Sequence, residues 1–168
     1  MTDDQYALLF GVRRSVRYHD RRRAFFERLH RLTGVLTVLM AGSVLFDIGQ
    51  PGETAGWLMT LAVVAALLAA LDLVVGYAAR ASQHRDLKRR FVDLEMAILS
   101  GDEAQDVWTA HRLARLAIER DEPPIYRALD LLCHNEVLLA EGGKTADLVV
   151  LRKWQRRTRH LFHWPDIN

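Results

Sequence analysis

GWLMTLAVVAALLAALDLVVGYAA, residues 56–79, is the stretch that decides the fold. Asp72 is its only charged side chain. At 1.5 Å per helical residue it extends roughly 36 Å, enough to cross a hydrocarbon core about 30 Å thick with some tilt. Trp57 and Tyr77 stand near its ends, where the aromatic belts of a bilayer lie. The competing interpretation is a buried helix of a soluble protein, but so long and uniform a run has no face left for water.

Upstream, residues 50–55 (QPGETA) hold a Pro-Gly turn signal with one negative charge. Before that comes a second apolar run, residues 32–48 (LTGVLTVLMAGSVLFDI). It covers roughly 25 Å, and Arg28 and Arg31 can make up the difference by snorkelling. No lysine or arginine occurs from 32 to 79, although the chain has 23. The expected core is therefore a two-span hairpin. About thirty residues precede the first run and no small-residue cleavage pattern closes it, which argues against a cleaved signal peptide.

Both flanks of the hairpin are basic. Arg13, Arg14, Arg17, Arg21, Arg22, Arg23, Arg28 and Arg31 lie before it, and Arg80, Arg85, Lys88, Arg89 and Arg90 follow it. By the positive-inside rule both termini face the cytoplasm, with these cations at a membrane interface rich in anionic lipid. The expected class is all-α and integral to the membrane: a basic amphipathic helix over 1–31, a hairpin over 32–79 and a cytoplasmic helical bundle over 80–168.

Within that bundle, 82–99 keeps helical period with no breaker after the second span, so one helix is expected to run on from it. Further helices are expected over 102–120, 124–140 (capped by Gly142-Gly143) and 145–162. The last carries Arg152, Lys153, Arg156, Arg157 and Arg159 among aromatics. Lipid contact or a solvated face explains it better than nucleic acid, since no nucleic-acid motif surrounds it.

Chemistry-bearing motifs are scarce. The chain has no Gly-rich phosphate loop, nucleophile elbow or zincin histidine pair. His84-Arg85-Asp86 imitates a kinase tripeptide without its companions. His160 and His163 have no further metal ligand at suitable spacing, and Cys133 is the single cysteine. No enzyme, cofactor or metal is expected. Asp72 stands out, because a carboxylate in a span costs about 2.5–3.5 kcal/mol and needs a partner. Counting inward from the cytoplasmic ends, Thr37 lies at its depth and Thr33 one turn nearer the interface. Thr33, Thr37 and Ala41, and likewise Ala62, Ala66 and Ala70, form stripes of small residues suited to helix contact and to homo-oligomers.

Taken together, several motifs resemble those of the SLATT proteins, two-span effectors associated with bacterial nucleotide-signalling conflict systems. They are Arg17-Tyr18-His19-Asp20 and Phe25-Phe26 before the hairpin, Leu71-Asp72-Leu73 in the second span, and a cytoplasmic motif. That motif runs Glu119, Arg120, Asp121, Glu122, Pro123, Pro124 and then Cys133, His134, Asn135, Glu136. The resemblance covers nearly the whole chain. It implies a bacterial inner-membrane effector that forms pores or perturbs the membrane in defence against invaders. With no fused sensor, the trigger would come from a separate signalling protein. The alternative is a non-conducting anchor that recruits a cytoplasmic partner.

Overall fold

A computed structural model describes residues 2–48, 56–101 and 105–164. Among these it is all-helical, without strands. The chain forms two compact units: residues 1–22 with 83–168, here the helical body, and residues 23–82, here the hairpin unit.

Helix α1 runs unbroken over Asp3–Ile48. Thr2 starts it with a capping box: the Thr2 amide donates to Gln5 Oε1 at 2.8 Å and the Gln5 amide to Thr2 Oγ1 at 3.3 Å. Asp3 and Asp4 then sit at the positive end of the dipole. No helix-ending residue separates the basic segment from the apolar one, so both share one helix of about 69 Å.

Helix α2 covers Gly56–Val75 and α3 covers Tyr77–Ser100. The expectation of a span over 56–79 running on without a breaker needs correction. Gly76 has φ +65°, a left-handed value costing any other residue about 1–2 kcal/mol, and it divides the helix inside the expected span. Hydrogen bonds from Gly76 N to Asp72 O (2.8 Å) and from Arg80 N to Gly76 O (3.0 Å) carry the chain across the bend. The expected turn at 50–55 lies outside the described residues.

In the hairpin unit, α1 and α2 are long and apolar enough to cross a membrane. Of the most apolar 18-residue window in each, 6% and 11% is buried. A soluble protein's core helix would be mostly buried. Phe26, Tyr77 and Ala81 form a small core beside Phe25, Leu29 and Val75.

The helical body has a conventional core. Leu8, Leu9 and Val12 of α1 meet Leu87, Phe91, Leu94 and Ile98 of α3, and Trp108 and Ile118 of α4 (Gln105–Glu119). Residues 102–104 of the helix expected over 102–120 lie outside the described residues. Helix α5 (Arg127–Ala140) adds Leu129 and Cys133, packed on Tyr18. It starts later than expected because 122–126 is extended, with the Tyr126 amide donating to Tyr18 Oη at 3.0 Å. Gly142 (φ +84°) closes it: Gly143 N donates to Leu138 O and Gly142 N to Leu139 O.

The helix expected over 145–162 is largely absent. A 3₁₀ turn covers Thr145–Asp147, and α6 spans only Lys153–Thr158. Asn135 is the cause. Its Nδ2 donates to Val149 O at 2.8 Å and its Oδ1 accepts from Val149 N at 3.0 Å, which uses both backbone groups a helix would need there.

Candidate functional site

Asp72 has a partner, and it is His30 rather than Thr37 or Thr33. His30 Nδ1 lies 2.9 Å from Asp72 Oδ2. His30 sits 18 residues before the end of α1 and Asp72 16 residues after the start of α2. Both are therefore about 24–27 Å along their helices from the connecting segment, the register of an antiparallel hairpin. This is two turns nearer the basic flank than the depth of Thr37. Thr33 is buried, but its hydroxyl donates to Leu29 O (2.9 Å) and His30 O (3.0 Å) of its own helix. Thr37 is half-buried.

The less exposed faces of the two helices follow a seven-residue step. On α2, Leu58 and Ala65 are buried and Asp72 is half-buried. On α1, Thr33 is buried and Thr37, Met40, Val44 and Asp47 are half-buried, in line with the more exposed His30. Ala41, Ala66 and Ala70 are exposed, so the four-residue stripes expected from sequence are not the inner faces. A row of every fourth residue drifts about 40° per step around a helix, whereas a seven-residue step stays nearly in line. The outer face is apolar: Leu45, Phe46, Leu73 and Val74 are each more than two-thirds exposed. Against this surface the His30 and Asp72 side chains remain 49% and 24% exposed.

Most of the flanking cations are engaged in the helical body. Arg13 bonds Glu95 (2.8 Å) and Glu141 (2.9 Å), Arg14 pairs with Asp130 (3.1 Å), and Arg21 with Glu136. Lys88 meets Asp20 and Arg90 meets Asp121, both at 2.8 Å. Arg22 donates to His160 O and lies 4.3 Å from the Tyr126 ring centre. Arg17 is half-buried, while Arg85 is exposed and Arg89 pairs with Asp86. In the hairpin unit, Arg23 and Arg31 approach Glu27, Arg28 is exposed, and Arg80 donates to Val75 O beside the Phe26 ring. Exposed cations thus concentrate at 28–31 and 80–89; much of the remaining arginine face of α1 fastens helices together.

The motif residues of 119–136 lie in the helical body, each on a different partner. Glu119 pairs with Arg115. The Arg90 guanidinium holds the Asp121 carboxyl below its usual range. Pro123 and Pro124 disfavour helical backbone at the residue before each, Glu122 and Pro123, which lie in a non-helical stretch. His134 packs edge-on against Phe10, and Cys133 is fully buried. Burial pushes the Cys133 thiol up to about 12, so it is no nucleophile at neutral pH.

Sequence reasoning missed the most enclosed polar group. Glu122 Oε1 lies 2.9 Å from His19 Nε2, and His19 Nδ1 lies 2.9 Å from His84 Nδ1. His19 stacks on Phe91. Three residues 65 and 38 positions apart in sequence carry no spacing signal that would join them. Among the described residues no cluster of His, Cys, Asp or Glu is placed to hold a metal ion. No protein-family model, curated protein or solved structure matches this chain.

Proposed function

We propose that the chain is a two-span membrane protein, with both termini and the helical body in the cytoplasm, and that several copies associate to open an ion-leak path. The observation that carries this reading is the His30–Asp72 pair, partly exposed where the apolar outer surface meets the basic flank. A carboxylate costs about 2.5–3.5 kcal/mol at the bilayer centre and less toward the interface, so the pair belongs against water or a second copy of the hairpin rather than against lipid. The cations at 28–31 and 80–89 favour a cytoplasmic position for this end. The SLATT-like motifs agree with an inner-membrane effector that a separate sensor switches on.

Reconstituted protein tests the reading. Asp72→Leu should insert normally yet abolish liposome ion flux and any growth arrest on overexpression. Asp72→Asn retains hydrogen bonding without charge, and altered cation selectivity in it would assign a role to the charge. Wild-type flux from Asp72→Leu overturns the ion path. The anchor reading then stands, favoured by a body that forms its own core and several interhelical ion pairs within one chain.

A further inference from the structure

A cleft of about 360 Å³ in the helical body is lined by Lys153, Arg156, Arg157, Arg159 and His160, with no acidic side chain among the described residues that line it. We infer that it binds two phosphate groups at once. The short α6 places Lys153, Arg156 and Arg157 at i, i+3 and i+4, so they share one face. Buried Gln155 anchors that helix by accepting from the Arg152 amide at 2.8 Å. Arg159 and His160 follow in the turn, held by two bonds: Arg159 Nη1 donates to Arg156 O (2.9 Å) and Arg22 Nη1 to His160 O (2.9 Å). Of the cations, Arg159 is thus held by a backbone carbonyl, which leaves its charge uncompensated by that bond.

Among the described residues, Lys153, Arg156 and Arg157 have no ion-pair partner, in contrast to Arg13, Arg14 and Arg21 of the same body. Arg159 has a buried Nε without a hydrogen bond. Burial, then Arg21 and Arg156, lower its proton affinity, while Glu136 opposes the shift from the side it shares with Arg21. Glu136, already paired with Arg21, offsets only part of this crowding of like charges, and an anion in the cleft relieves the rest. Arginine forks match phosphate oxygens in pairs, and a cleft of this volume accommodates a diphosphate group. The two phosphates can come from one soluble diphosphate-bearing molecule or from two neighbouring anionic lipid headgroups. The inference does not depend on whether the hairpin conducts ions.

The test uses the full chain in nanodiscs and reads hydrogen exchange over 153–160. One arm adds inorganic pyrophosphate to phosphatidylcholine discs; the other replaces a fifth of the lipid with phosphatidylglycerol. The double variant Arg156→Gln/Arg157→Gln alters exposed side chains, and Arg112→Gln/Arg120→Gln removes the same charge elsewhere. Protection by pyrophosphate, about tenfold weaker in the first variant and unchanged in the second, supports a soluble ligand. Protection only in phosphatidylglycerol discs, lost in the first variant alone, supports a headgroup. Absence of protection in both arms, or equal protection in both variants, overturns the inference.

Discussion

The hairpin unit and the helical body are built from similar apolar residues with opposite fates. In the body Val12 and Phe91 are fully enclosed, whereas in the hairpin unit Leu73 and Val74 are 84% and 83% exposed. Angular distribution makes the difference. Helix α3 confines Leu87, Phe91, Leu94 and Ile98 to one stripe with charges elsewhere, so one neighbouring surface covers it. Helix α2 is apolar nearly all round, and a single antiparallel neighbour covers only one of its sides.

The largest effect that could break this contrast is a pair of truncations. Phe91→Ala should lower the unfolding free energy by about 3–5 kcal/mol, while Leu73→Ala should change it by less than about 0.5 kcal/mol. Denaturant unfolding in mild detergent measures both. Comparable losses would mean that Leu73 packs in a protein core, contrary to its exposure. Next, Leu67→Arg puts a charge on the exposed middle of α2. In a bilayer it should cost about 2.5–3.5 kcal/mol and deplete the membrane fraction; on a water-facing helix it would be nearly silent. A normal yield and distribution after fractionation would refute membrane insertion.

A smaller effect sharpens the account of the body. Asn135→Ala removes both bonds to Val149, for about 1–3 kcal/mol. Hydrogen exchange should rise over 148–152 while the core of Leu8, Leu87 and Phe91 stays protected. An unchanged pattern would show that Asn135 does not set the extended path.

Residues 32–48 and 56–79 could be recognised as hairpin arms because continuous hydrophobicity is a local property. The Gly142-Gly143 stop was legible for a similar reason, a left-handed cap requiring glycine. Gly76 was not, since one glycine within an apolar run gives no sign of whether it bends. The period of 145–162 suggested a helix, but period cannot anticipate that Asn135, ten residues before that stretch, takes its backbone groups. Arginines that looked like one membrane-facing set divide between ion pairs and exposed positions only when α3, α4 and α5 bring their acids alongside.

The sequence by itself determined an all-helical chain with two apolar helices and basic flanks, because hydropathy, helical period and charge are each written within a few turns. Only the tertiary structure decided that Asp72 meets His30, that Glu122 meets His19 and His84, and that α6 presents its cations in a cleft. Each is a contact between distant residues. Helix register and packing select such partners, and no local pattern encodes them.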